Sequence, residues 1–117
     1  MAFKFETLLV WQNSLKLCNE IDLLAKSFPK IELFNLTSQL KRAADSVTLN
    51  IAEGCMGQSN KEFLRFLNYA NRSGLEVVSC LFIAKFRNYL SEEEFKRLYD
   101  EYEKLCRMIS KLKSSLN

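Results

Sequence analysis

The chain contains no histidine. That absence excludes Ser-His-Asp and Cys-His nucleophilic sites, and it leaves no side chain whose unperturbed pKa lies near neutrality. Glycine and proline are scarce, at three and one in 117 residues. So few breakers do not suit an all-β chain that turns roughly every ten residues. No Gly-rich phosphate loop is present, and no cofactor motif, so no cofactor is expected. No run of about 18 apolar residues occurs, so no membrane span is expected. Lys4, Glu6 and Gln12 interrupt the N-terminal stretch that a signal peptide would keep apolar. The four cysteines, at 18, 55, 80 and 106, form no C-x-x-C pair. Their wide separation does not fit the short spacings of zinc sites. Reduced thiols in a cytoplasmic protein are the simple expectation.

What remains is an apolar, evenly charged chain. Apolar residues make up 48% of it, which is incompatible with disorder, and the length suits one domain over residues 1–117. The net charge of +3 permits nucleic-acid contact without requiring it.

Apolar spacing predicts four helices, over about 7–28, 36–56, 60–89 and 92–115. In the first, Leu8, Trp11, Leu15, Cys18, Ile21, Ala25 and Phe28 recur at threes and fours. Thr7 is placed as its N-cap, and Pro29 ends it. Asn35 is placed as the cap of the second, whose apolar line is Leu36, Leu40, Ala43, Val47 and Ile51, and Gly54 and Gly57 are its candidate terminators. The third opens on the capping box Ser59-Asn60-Lys61-Glu62. It continues as Phe63, Leu67, Ala70, Gly74, Val77, Leu81 and Ala84. Gly74 costs about 1 kcal/mol relative to alanine in mid-helix, so it predicts the close approach of a neighbouring backbone. The fourth opens on Ser91 and Glu94, with Phe95, Leu98, Tyr102, Leu105, Ile109, Leu112 and Leu116 in line. Short connections make this an all-α, antiparallel up-down-up-down four-helix bundle. Helices 1 and 3 carry more apolar residues than one small bundle covers, including Leu9, Phe66, Phe82 and Phe86. A homo-oligomer that buries the excess is therefore expected.

The stretch SVTLNIAEGCMG places Asn50 and Glu53 among apolar helix residues. With Gln39, Arg42 and Ser46 they follow helical spacing, and Ser73 and Glu76 form a matching line on helix 3. Antiparallel pairing about Gly57 and Gln58 predicts a structural polar seam with an Arg42–Glu76 ion pair. The alternative is a carboxylate cluster of Glu53, Glu62 and Glu76 for a metal. Di-iron bundles, however, add Glu-x-x-His motifs that a chain without histidine does not have.

Lys61, Arg65, Asn68 and Arg72 form an outward stripe on helix 3, and Arg97, Lys104, Arg107 and Lys111 form another on helix 4. These basic residues are either an ordinary solvated face or a phosphate-contacting surface. No groove-reading motif accompanies them, so any binding would be non-sequence-specific.

The segments FETLLVWQNSLKL, FPKIELFNLTSQLKRAADSVTLNIAEG, SNKEF and SGLEVVSCLFIAKFRNYL together resemble the 23S rRNA intervening-sequence protein family of small bacterial four-helix bundles. Accessory variability proteins of diversity-generating retroelements are similar to the same group. Trp11, Pro29, Gln39, Arg42, Ser46, Asn50, Glu53, Gly54, Ser73 and Glu76 carry the match. Gly57 and Val78 stand where the family usually shows a basic and an acidic residue. The resemblance implies a cytosolic, ring-like homopentamer without enzymatic activity. For the retroelement relatives it implies binding to a reverse transcriptase and to RNA or DNA through a basic surface. A purely structural protein–protein oligomer is the competing expectation, and a carboxylate-bridged metal protein the third.

Overall fold

A computed structural model describes residues 2–116. Four long helices account for most of them: α1 (Leu9–Lys26), α2 (Leu36–Cys55), α3 (Asn60–Phe86) and α4 (Glu92–Ser115). One 3-10 turn, Lys4–Thr7, precedes α1, and another, Lys30–Glu32, joins α1 to α2. Each helix packs on its chain neighbour and α4 closes against α1, giving an antiparallel bundle measuring 43 × 23 × 22 Å. All four helices contribute to one continuous apolar core.

The capping chemistry sets the starts of α3 and α4. Ser59 Oγ accepts from the Glu62 N–H at 3.1 Å, and Ser91 Oγ accepts from the Glu94 N–H at 3.0 Å. Both serines satisfy donors that a helix N-terminus leaves without partners. The predicted α3 core line, from Phe63 to Ala84, is buried at every position. On α4, Phe95, Leu98, Tyr102, Leu105 and Ile109 are buried as the spacing requires.

Several local expectations are corrected. Thr7 does not cap α1. It lies in the preceding 3-10 turn, its hydroxyl donates to the Lys4 carbonyl, and the helix begins at Leu9. The buried face of α1 runs through Val10, Ser14, Leu17, Ile21 and Leu24, and Leu15 is 44% exposed. The buried line passes through a serine, which an apolar pattern skips. The Ser14 hydroxyl donates to the Trp11 carbonyl within its own helix, so it can sit in the core without a lost hydrogen bond. Asn35 occupies the N-cap position of α2, but its side chain makes no capping bond and donates instead to Glu32 Oε1 at 3.2 Å.

Gly54 lies within α2 and does not end it. A Cβ there would stand 2.6 Å from Phe66 Cβ and 3.0 Å from Phe63 Cδ1, so the glycine lets α2 and α3 approach. At Gly74 the close neighbour is the Cys106 sulfur, 2.8 Å from a would-be Cβ, and not a backbone. Helix α3 stops at Phe86, short of 89. Asn88 takes φ 63° while the Tyr89 N–H reaches the Ala84 carbonyl and the Asn88 N–H reaches that of Lys85. That pair of bonds is a Schellman ending with asparagine at the left-handed position.

Candidate nucleic-acid interface

The apolar stripes of α3 and α4 turn their charged residues outward, and the antiparallel pairing brings the start of α3 beside the end of α4. Asn71 Nδ2 donates to Ser110 Oγ at 3.1 Å across this pair, and Asn60 Nδ2 reaches the Leu116 carbonyl at 3.5 Å. Three cation-bearing grooves lie here. Lys61, Arg65 and Asn68 line one, together with Glu62. Asn68, Asn71, Arg72, Leu75 and Lys113 line the second. Lys104, Arg107, Met108 and Lys111 line the third, on the outer side of α4. Lys61, Arg65 and Arg72 line the grooves on α3, where Lys113, which the basic stripes omitted, joins them; Lys104, Arg107 and Lys111 line the groove on the outer side of α4, and Lys111 also borders α1. Arg97 lines none of these grooves, because it points across to α1, where its guanidinium meets Glu20 Oε1 at 2.8 Å.

Within the face, Arg107 pairs along its own helix with Glu103 at 2.9 Å, and the Arg65 guanidinium sits 5.0 Å from the Phe66 ring centre. Lys61, Arg65, Arg72, Lys104, Lys111 and Lys113 make no ion pair among the described residues. The asymmetry extends to the whole bundle. With each helix divided at its middle, residues 2–17, 47–73 and 103–116 carry nine basic and four acidic residues. The other half carries eight and ten. The first half is therefore net positive and the second net negative.

The polar seam is narrower than its spacing suggests. Asn50 Nδ2 donates to the Ser46 carbonyl at 2.8 Å and to Ser46 Oγ at 2.9 Å, and Ser73 Oγ donates to Ser46 Oγ at 2.9 Å. Gln39, Arg42, Glu53 and Glu76 are exposed. Ser46, and not Arg42, stands opposite Ser73, which sets Arg42 beside Glu76 in register, yet the two exposed side chains form no ion pair with each other. Glu53, Glu62 and Glu76 do not converge, and among the described residues no group of three or more metal-ligating side chains forms.

At the opposite end lies a cluster the sequence reading missed. Glu32 is buried, and its Oε2 accepts from Arg87 Nη1 at 2.9 Å and from Tyr89 Oη at 2.7 Å. The Tyr89 hydrogen bond, the Arg87 charge and the Leu36 amide hold the carboxyl below its usual range, against the effect of burial. The same carboxylate raises the Tyr89 hydroxyl. No spacing rule signals this contact, because its members lie in two connections.

The cysteines are free, and burial raises the thiols of Cys18, Cys55, Cys80 and Cys106. A thiol so held is the protonated, unreactive form. Among the described residues no helix is long and apolar enough to cross a membrane.

A closed antiparallel bundle with one cationic face places the chain among small helical-bundle proteins. The 23S rRNA-intervening sequence protein family matches over residues 6–111, and the chain belongs to that family. A crystal structure from Bacteroides thetaiotaomicron, a protein with unknown function from the S23 ribosomal protein family, is similar in fold. Its TM-score is 0.84 at 22% identity, over 90% of this chain and 98% of that one. A comparison with curated proteins gives no match.

Proposed function

We propose that this protein is a non-enzymatic, self-associating helical bundle that binds nucleic acid without sequence preference through the α3/α4 face. The observation that carries this reading is the convergence of Lys61, Arg65, Arg72, Lys104, Arg107, Lys111 and Lys113 on adjoining grooves, with only Arg107 neutralised by an ion pair. Cations spread along a face contact phosphates and carry no base code, so affinity rests on counterion release. Protonated, disulfide-free thiols suit a reducing, cytoplasmic setting. In a homo-oligomer, such as the homopentamer that the family resemblance implies, the face is repeated and its attraction multiplied. A nucleic-acid enzyme such as a reverse transcriptase is the protein partner consistent with this role. Anisotropy titration of a labelled RNA or DNA strand tests the reading. Binding at low salt that weakens as salt rises supports it, and the absence of binding at low salt removes it.

A second reading, a purely protein-binding oligomer, is favoured by a different observation. Ile31, Phe34 and Phe86 are 86%, 93% and 90% exposed and flank the Glu32–Arg87 contact. Exposed apolar patches of this kind mark protein interfaces. Sedimentation at micromolar concentration tests self-association, and a stable monomer contradicts it.

A further inference from the structure

The grooves of the α3/α4 face are joined through a fourth hollow of different character. Asn68 is shared by the Lys61/Arg65 groove and the Arg72/Lys113 groove. Leu75 is shared by the Arg72/Lys113 groove and the hollow, and Arg107 by the hollow and the Lys104/Lys111 groove. The result is a track along α3 and over α4, cationic on both sides of an apolar middle. That middle has a volume of about 240 Å³, and Leu75, Val78, Tyr99, Tyr102 and Cys106 wall it, with Glu103 and Arg107 at its edge. Leu75 is 65% exposed and Tyr99 36%, so both can be reached from solvent. The Tyr99 ring is braced by Phe82 and Phe95, with centroids at 6.0 and 5.9 Å.

Size and charge together restrict the occupant. Complete drug-sized ligands fill about 300–1,000 Å³, so this hollow suits one ring system of something larger. Glu103 and Arg107 neutralise each other at its edge and leave no free cation to hold a phosphate inside it, whereas Arg72 and Lys113 on one side and Lys111 on the other favour phosphates. An alternation of anion, flat neutral ring and anion is the chemistry of an unpaired nucleotide strand. We propose that the α3/α4 hollow receives one unstacked base of a single-stranded nucleic acid whose phosphates lie on Arg72, Lys113 and Lys111. This proposal rests on the reading of the face as a nucleic-acid interface. A duplex keeps its bases stacked and paired, so it reaches the charges but not the hollow.

Anisotropy titrations at low salt with three probes of equal length test the proposal. The probes are a single-stranded oligonucleotide, an abasic strand with the same backbone, and a duplex. Base contact contributes roughly fivefold or more in affinity, so the base-bearing strand binds at least that much more tightly than the abasic one. Leu75→Ala and Tyr99→Leu, checked for folding by circular dichroism, abolish that advantage and leave abasic binding unchanged. Equal affinity for the base-bearing and abasic strands overturns base insertion while the polyanion reading stands. So does an advantage that survives both substitutions. Failure of all three probes to bind overturns both.

Discussion

Tyr89 donates its hydroxyl hydrogen bond to the buried Glu32 carboxylate at 2.7 Å, across 57 residues of sequence. The contact ties the α1–α2 connection to the α3–α4 connection. Arg87 adds an ion pair to the same oxygen at 2.9 Å. The charge also lies just ahead of α2, where an anion complements the helix dipole.

Glu32→Gln is therefore predicted to lower stability at neutral pH more than Tyr89→Phe does, because it removes the charge that every partner of this cluster addresses. The pH dependence follows from the sign of the shift. The folded carboxyl is held below its ordinary value of 4.5, so its contribution is complete above that value and is lost as pH falls through the lower, folded one. Urea denaturation of both proteins at neutral pH and in acid checks this. The gap between wild type and Glu32→Gln should be wide at neutral pH and should narrow in acid.

Asn88 carries the left-handed position of the α3 ending with φ 63°. Asparagine tolerates that conformation better than most residues, and glycine better still. Asn88→Ala is expected to cost about 1 kcal/mol, and Asn88→Gly to cost nothing or to stabilise. Paired denaturation curves decide the matter. Equal losses for both variants would show that the side chain, and not the backbone angle, matters.

Gly54 and Gly57 should respond differently to alanine. At Gly54 the new Cβ would meet Phe66 Cβ at 2.6 Å, inside a packed helix pair. Overpacking of that kind costs about 1–3 kcal/mol, against a helix-propensity gain of about 1 kcal/mol, so net destabilisation is predicted. At Gly57 the nearest atom is Glu62 Oε1, the end of a flexible side chain that can move aside. Gly57→Ala should therefore be far milder than Gly54→Ala in the same melting experiment.

Arg97 supplies an internal control for the basic face. It pairs with Glu20 on α1 and lines none of the cationic grooves. Arg97→Ala should leave nucleic-acid affinity unchanged and cost about 0.2–1 kcal/mol of stability, the usual worth of an exposed ion pair. Lys111→Ala should do the reverse, weakening binding while leaving the melting curve in place.

The residues differ in how much of this the sequence made legible. The α3 line from Phe63 to Ala84 could be read because each buried position is apolar or glycine, and Ser59 and Ser91 could be read because capping is local chemistry. The α1 face was misread because Ser14, a core residue, hides its hydroxyl on its own helix. The Arg42–Glu76 pair is not formed even though the register allows it. The α2–α3 pairing centres beyond Gly57 and Gln58, so Ser46 meets Ser73 and Arg42 stands level with Val77, beside Glu76, but both charged side chains are exposed to solvent and do not meet. The basic stripes were visible helix by helix. Their convergence, the separation of Arg97 from it, and the hollow beside Tyr99 arise only where two helices meet, and no periodicity within one helix encodes them.

The most direct test of the cationic face is the salt dependence of single-strand binding by the wild type and by an Arg72→Ala, Lys111→Ala, Lys113→Ala triple variant. Each phosphate contact contributes about 0.7 to the slope of log K against log salt for a single strand. The wild type should therefore show a steep negative slope, and the triple variant a slope shallower by about 2. Identical slopes for the two proteins, or wild-type binding indifferent to salt, would contradict the account.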